Sequence, residues 1–551
     1  MDIPTSVSNV SDVSIGAIDA SATLAVGSGG GSSVFAGVVV SAKGAPFELL
    51  SIHKNNYQNI LGKPLHPSKG ASYEPMRHVS EAVTGGYGYV VRVVPSEARF
   101  PYLVITKGKG KGAEVKAGDS SSGKPAAITE KDKAAALVAA AQDTVTTGNA
   151  PYGTPLNPPA GADLVIYIAD GDPSLTRSLS MSPADSTRYG AGMYHLVLTE
   201  VDELGFESEL ENLLVSMNPE ALNDMNQPAY IVTALENGSH HMRAIVGANA
   251  LGLTGFTKTA FADGTNGDMN KISVEQYTKA ISVLRNAMVR YTAVLGLGCY
   301  DTTIIPKLSD LCSDRRIDGF FDIPPTLNYA GARKWITDLN LDNHRMCAYH
   351  FPFCAKDPFS GSSQLWGLSG TAFVAKALGV AKVADVGGWH YSPAGEERGI
   401  INRREIRPMP GLDEPDYTEM YRLRINKVAF GVGGKMVIDD AITCRSREDY
   451  LRFQHVSSVM DAINREFYGI ARALKHQPDG LTLDGLTGGM ERLLNNFITS
   501  GALVKPRNSE DGDKPYVLTV TQKAIDLWEV HWSCCITGTA RRIHGKPALI
   551  R

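Results

Sequence analysis

Residues 383–401 read VADVGGWHYSPAGEERGII, which puts Asp385, His390 and Ser392 in one short stretch. A carboxylate, an imidazole and a hydroxyl are the parts of a nucleophilic relay, and such relays are recognised by geometry rather than by chain order. The same stretch carries four glycines, Trp389 and Pro393. That set reads equally as a tight turn in which the indole packs and the glycines permit the bend. A serine hydrolase also wants a G-x-S-x-G elbow between strand and helix. The nearest text, GLSGTA at 367–372, lacks that spacing.

Other chemistry is sparser. Cys347, His350 and Cys354 give C-x2-H-x3-C, with no second pair at ligand spacing. RMCAYHFPFC alternates like a strand, so these side chains read as core. His240 and His241 are adjacent, and their side chains diverge on any regular element. DGTNGD at 263–268 lacks the alternating oxygen ligands and distal Glu of a calcium loop. KGKGKG lacks the G-K-[ST] of a phosphate loop. No cofactor or metal is expected.

The elements around these residues come from a chain of 551 residues, 43% hydrophobic and 20% charged, long enough for several domains with large cores. A formal charge of −4, with both signs mixed along the chain, gives no basic face for nucleic acid. The first residues lack a basic n-region and an apolar h-region, so no signal peptide is expected. No window suits a membrane helix. Seven scattered cysteines suggest reduced thiols.

Residues 1–32 are small, polar and glycine-rich, with a weak alternation of Val7, Val10, Val13, Ile15 and Ile18. They suit an extended arm that becomes a strand only against a partner. From Val34 a β–α–β unit of about 65 residues is expected. Residues 95–255 read as a β-rich, mostly surface insertion, with AYIVTALENG as one of its strands. The middle alternates strand and helix, which implies a mostly parallel sheet covered by helices. Two long helices follow, then two strands. In the last strand Val530, Trp532, Cys534 and Ile536 share one face, opposite Glu529, His531, Ser533 and Cys535.

Three blocks in order carry a resemblance. VFAGVVVSAKGAPFELLSIHKNNYQNILGKPL leads to GGYGYVVRVV. FADGTNGD leads through VEQYTKAISVLRNAMVRYTAVLGLG to RIDGFFDIP. LSGTAFVAKALGVAKVADVGGWHYSPAGEERGIINRREI leads to YRLRINKVAFGVGGKMVID. Together, over about two thirds of the chain, they resemble the contractile tail sheath proteins of bacteriophages, tailocins and related injection systems. The departures are IDDAITCR at 438–445, where the family has W-G-x-R-T, and the insertion at 95–255, which aligns with nothing in it.

The resemblance implies an α/β and α+β multidomain chain. An arm at 1–22, a sheath-core part at 23–95 and a variable outer insertion at 96–255 come first. An α/β, subtilisin-like middle domain at 256–440, a tube-facing C-terminal domain at 441–533 and an arm at 534–551 follow. The inner domain is built from both chain ends. It implies no enzymatic activity and a place in a contractile tail assembled in the host cytoplasm. Its partners are other copies in a six-fold helical stack, the tail tube protein, and baseplate and terminator proteins, with no direct nucleic-acid contact and no stable membrane insertion.

Strand exchange between copies falls to Val7, Val10, Val13, Ile15 and Ile18 of the first arm and to Cys534, Cys535, Ile536 and Thr537 of the second, with Gly27, Gly29, Gly30, Gly31 and Gly538 as hinges. Cys535 is a candidate for a disulfide to a neighbour in an oxidising medium. Arg465, Arg472 and Lys475 lie at helical spacing and would face an acidic tube. Trp389 and Pro393 then build a structural turn. Glu396, Glu397, Arg398, Arg403 and Arg404 supply charge pairs, mostly at the surface and each worth ~0–1 kcal/mol. The competing readings are an α/β hydrolase and a non-contractile surface or adhesin-like protein.

Overall fold

A computed structural model describes residues 32–107, 143–152, 162–170, 176–202, 204–247 and 250–541. The first arm, its glycine hinge and most of the lysine- and glycine-rich loop lie outside them.

The chain opens with β1 (Phe35–Val39), β2 (Leu49–Ile52), α1 (Tyr57–Leu61), α2 (Pro75–Ala82) and β3 (Gly88–Arg92). A β-rich part follows: β4 (Arg99–Thr106), β5 (Thr144–Pro151), β6 (Leu164–Ile168), β7 (Thr176–Pro183), α3 (Ser186–Tyr189), β8 (Met193–Val201), β9 (Glu207–Ser216), α4 (Ile231–Gly238), β10 (Met242–Val246) and β11 (Phe256–Ala260). The alternating part holds α5 (Val274–Asn286), β12 (Ala293–Leu295), α6 (Ile305–Arg315), β13 (Asp318–Asp322), α7 (Tyr329–Leu339) and β14 (Met346–Tyr349). Next come β15 (Phe353–Lys356), β16 (Ser363–Leu365), α8 (Ser369–Val380), β17 (Arg407–Pro408), α9 (Tyr417–Arg422), β18 (Ile425–Asn426), β19 (Val428–Phe430) and β20 (Met436–Ile438). Two long helices, α10 (Gln454–Leu474) and α11 (Asp479–Thr499), precede the hairpin of β21 (Tyr516–Ala524) and β22 (Leu527–Cys534).

A seven-stranded sheet, ordered β18-β14-β13-β12-β1-β3-β2, is parallel except where β2 runs against β3. Burial on both faces explains the unbroken apolar run of β1. Ala36 and Val38 belong to the core that also holds Ile281, Leu308 and Ile336 of α5, α6 and α7, while Phe35 and Val39 belong to the opposite core with Val79 of α2 and Phe373 of α8. Local signals place the helices. Ser273 caps α5, Asn328 caps α7, and Arg316 ends α6 in the left-handed region at φ 50°.

The first β–α–β unit thus lies within the central sheet. Residues 35–92 pair with β12, and the C-terminal helices form a separate cluster with the hairpin. The parts at 23–95 and 256–440 therefore share one sheet, while β11, at the start of the latter, pairs with β7 in the β-rich part. The β-rich part is two four-stranded sheets around a core of its own, with Leu103, Ile166, Leu196 and Ile231 fully buried. Residues 231–238 are a helix rather than a strand, because Ile231 and Leu235, one turn apart, bury together. The insertion leaves and re-enters the sheet at one place. Arg99 and Thr265 exchange both backbone hydrogen bonds, at 2.8 and 2.9 Å. There, two motifs from different blocks meet: Arg92 of RVV donates to Asn266 Oδ1 of DGTNGD at 2.5 Å.

Candidate functional site

The stretch at 383–401 is a turn. Among the described residues no hydrogen bond joins Asp385, His390 and Ser392 to one another; Ser392 Oγ accepts from the Ala394 amide at 3.2 Å. Asp385 sits at φ 59°. Trp389 is 3% exposed, donates to the Val386 carbonyl at 2.8 Å, and packs on Val459 and Ile463 of α10. Pro393 is buried. From beneath, the buried Lys376 of α8 donates to the carbonyls of Trp389 and Tyr391. Burial outweighs the attraction of Asp318 and draws this ammonium down to about 8. The turn therefore fastens α8 to the C-terminal helices.

A relay-like trio lies elsewhere. Glu74 and His78 are one turn apart at the start of α2, and Ser369 opens α8. His78 Nδ1 is 3.0 Å from Ser369 Oγ and Nε2 is 3.1 Å from Glu74 Oε1. His78 and Ser369 are fully buried and Glu74 is 5% exposed. A general base must take the serine proton. Burial disfavours a charged His78. The Glu74 hydrogen bond and the charges of Asp322, Glu74 and Glu81 outweigh it and raise the imidazole above its ordinary value. Its two ring nitrogens are engaged by Ser369 Oγ and Glu74 Oε1.

The amides that would stabilise an oxyanion are engaged as well. A helix N-terminus is an anion site, and here Asp322 fills it, accepting from Leu368 N at 2.5 Å and from Ser369 N at 3.1 Å. Gly367 N donates to Glu74 at 2.9 Å. The glycines of GLSG follow from this closeness: a Cβ at Gly367 would lie 2.2 Å from Asp322 Cγ, and one at Gly370 would lie 2.5 Å from the His78 carbonyl oxygen. The trio cross-links α2, β13 and α8. Ser369→Ala is expected to lower unfolding stability by about 1 kcal/mol, read from denaturant midpoints; an unchanged midpoint would remove the hydroxyl from the network.

Arg403 corrects the expectation of weak surface pairs. Its side chain is 3% exposed and grips Glu81 at 2.8 and 2.9 Å while lying 4.1 Å from the Trp366 ring centroid. Glu397 does make exposed pairs, with Lys382 and with Arg398 at 2.7 Å. Glu396 and Arg404 are exposed. Cys347 and His350 are core residues, as read, and among the described residues no cluster could hold a metal ion. His241 turns inward to Asp170 at 2.8 Å, while His240 is exposed.

The candidate assembly residues divide. Arg465 turns inward: it donates to the Arg316 carbonyl and lies 5.0 Å from the Trp389 ring centroid, and burial draws its guanidinium down to about 10. It is thus committed within the subunit. Arg472 and Lys475 are half-buried near the end of α10. Nearer its start, α10 is tied to the sheet by Arg345–Asp461 at 2.6 Å and Ser458–Asp318 at 2.8 Å.

Val7, Val10, Val13, Ile15 and Ile18 lie outside the described residues. Cys534 to Thr537 are held by their own subunit. Cys534 ends β22, Cys535 N donates to the Pro515 carbonyl and the Cys535 carbonyl accepts from Val504 N, Ile536 bridges Leu503, and Thr537 N donates to the Ala502 carbonyl at 2.9 Å. All seven cysteines are free thiols. Trp528, Val530, Trp532 and Cys534 face α10 and α11, as the alternation requires, and the Trp532 ring packs at a tilt on Phe467 with centroids 4.9 Å apart. Among the described residues the hairpin pairs with no third strand along either outer edge.

Sheath proteins are among the solved structures it resembles. The sheath tail protein of Listeria innocua matches with 12% identity over 93% of this chain and 97% of that one, at a TM-score of 0.48. The sheath tail protein of Desulfitobacterium hafniense matches with 11% identity over 91% and 96%, at 0.45. A chain of the PVC sheath complex, an extracellular contractile injection system in its contracted state, matches with 14% identity over 50% and 74%, at 0.39. No protein-family model and no curated protein matches the sequence. Among the described residues no helix is long and apolar enough to cross a membrane.

Proposed function

We propose that this chain is the structural subunit of a contractile tail sheath, stacking as six-fold rings around a tail tube and shortening to drive that tube through an envelope. Three sequence blocks in family order support the reading. The observation that carries it is the half-built sheet at 516–534. A two-stranded sheet is marginal by itself. This one leaves nine-residue β21 with an open edge and keeps Tyr516, Leu518, Val520 and Trp532 only partly covered. Exposed edges attract strands, and a strand donated by a neighbouring copy completes such a sheet through backbone hydrogen bonds. The arm at 1–22, with Val7, Val10, Val13, Ile15 and Ile18, is the proposed donor.

Open helical stacks need head-to-tail contacts of this kind, because such contacts do not close on themselves. Energy for shortening comes from a metastable packing, so neither nucleotide nor cofactor is needed. A trio this deeply buried, whose neighbouring amides are already engaged by Asp322 and Glu74, supports a non-enzymatic role. Arg472 and Lys475 are proposed to meet the tube, and baseplate and terminator proteins to meet the ends of the stack, within a virion or a related contractile particle.

Deleting residues 1–20 should leave a folded monomer, judged by circular dichroism and its denaturant midpoint, that forms no tubes in negative-stain electron microscopy. The full chain at the same concentration should form striated hollow tubes. Normal tubes from the deletion would sink the donor scheme.

A further inference from the structure

The segment after the hairpin is anchored twice. The first anchor is Ile536–Thr537 against Leu503 and Ala502. The second is Arg541, four residues on, which grips Asp440 through two hydrogen bonds of 2.8 and 2.6 Å. Asp440 is 4% exposed, and Arg541 is the cation paired with it. Arg541 also lies 4.1 Å from the centroid of the Tyr421 ring, against which Arg452 lies at 4.4 Å. Arg452 donates to the Tyr421 carbonyl at 2.8 Å and so fixes that residue. Between the anchors, a Cβ on Gly538 would meet nothing within 4 Å, and among the described residues no backbone hydrogen bond is donated by residues 538–541. Residues 538–541 are thus a short span held only at its ends.

We propose that Arg541, Asp440 and Tyr421 form a pin that fixes where the chain beyond Arg541 starts, and thereby sets its reach toward a second copy of this chain. The identity of that acceptor rests on the sheath reading; the pin itself does not. Stripping a buried carboxylate of its cation is costly, and the planar guanidinium fork is what allows bidentate pairing and ring stacking together. The pin is therefore closed in the isolated subunit. Opening it moves the last anchor among the described residues back to Thr537 and adds up to about 13 Å of reach, at roughly 3.3 Å for each of the four residues. A neighbour that pulls on the segment during a change of packing can open the pin and gain that length without breaking the bridge at Ile536. This explains why Asp440 lies in IDDAITCR, where the sequence departs from its resemblance: the segment supplies the buried half of the pin.

The test uses the full chain and its variants Asp440→Asn and Arg541→Gln. The second changes the more exposed partner, so the result does not depend on the buried variant folding. Elastase cuts after Ala540 only when the surrounding residues lie free of the body. Release of the segment from Arg541 onward, read by intact mass, should be at least about tenfold faster in both variants, with cleavage elsewhere unchanged. Equal rates in Arg541→Gln and wild type would overturn the pin. Electron microscopy of tubes then tests its use: a changed axial repeat or a lost regular stack in the variants supports control of reach, and identical tubes overturn it. If the wild-type chain forms no tubes even on a tail tube template, the sheath reading fails, while the elastase contrast still decides the pin.

Discussion

Replacing Arg92 with methionine should lower unfolding stability by about 4 kcal/mol, among the largest effects expected of a single side chain. The side chain is fully buried where the β-rich part joins the sheet. Its fork donates to the carbonyls of Ser41 at 3.0 Å, Ala42 at 2.9 Å, Gly44 at 2.7 Å and Asp170 at 2.6 Å, and to Asn266 Oδ1 at 2.5 Å. Methionine fills much of the volume but takes the guanidinium donors from all five acceptors, of which the Ala42 carbonyl keeps the Asn266 donor, at about 1–3 kcal/mol for each acceptor left unpaired before relaxation. Lysine should not rescue, because an ammonium cannot reproduce the rigid fork. Asn266→Ala should cost less, about 1–2 kcal/mol, since Asn266 adds only its own donation to Ala42 at 2.9 Å. Guanidinium midpoints check the order. An Arg92→Met loss no larger than that of Asn266→Ala would refute the central role of Arg92.

The second large effect is acid lability. Burial draws His344, His350, His390 and His455 down to about 4 each; the neighbouring cation Arg345 adds to this at His344, and Lys376 at His390 and His455. One ring nitrogen of each of His350, His390 and His455 is buried without a hydrogen-bond partner, so a proton added there is poorly solvated. The unfolded chain takes up these protons near pH 6.5 and the folded chain only near pH 4. Between those limits the unfolded state binds more protons, and stability falls as pH falls, by up to about 1.4 kcal/mol per pH unit for each group. Asp318 and Asp322, raised by burial, take up protons in the folded state and offset part of this loss. His78 has the opposite sign to the four. Its raised value contributes stability that is present below pH 6.5 and is lost as pH rises through its folded value. Stability should therefore peak near neutrality and fall by several kcal/mol by pH 5. A denaturant midpoint that stays flat from pH 7 to 5 would contradict the buried, neutral histidines.

Periodicity carried much of the fold. The apolar run of β1, the strand–helix rhythm from α5 to β14 and the alternation of β22 each lie where the sequence places them, because each records one buried face or two. Residues 231–238 escaped because Tyr-Ile-Val-Thr favours strands locally, and the choice is made by Ile231 and Leu235 packing together. Buried charge escaped more thoroughly. In RGIINRREI nothing marks Arg403 as interior, since its partner Glu81 lies 322 positions earlier. Glu74 and His78 were within reach as an i, i+4 pair, but Ser369 joins them from 291 positions away. Side chains that bond across the fold leave no local period, so Arg465, read as solvent-facing from its spacing, is instead one of the ties between α10 and the sheet.

The Arg99–Thr265 pair gives the β-rich part the character of a cassette. A pair that exchanges both backbone bonds holds its two Cα atoms about 5.5 Å apart, so the whole excursion is bounded by a gap that a tight turn can close. Of the five acceptors described around Arg92, Asp170 belongs to that excursion; Ser41, Ala42, Gly44 and Asn266 remain with the sheet. Any module whose ends meet across that gap could replace this one, whatever its size, and the seven-stranded sheet would keep its own connections.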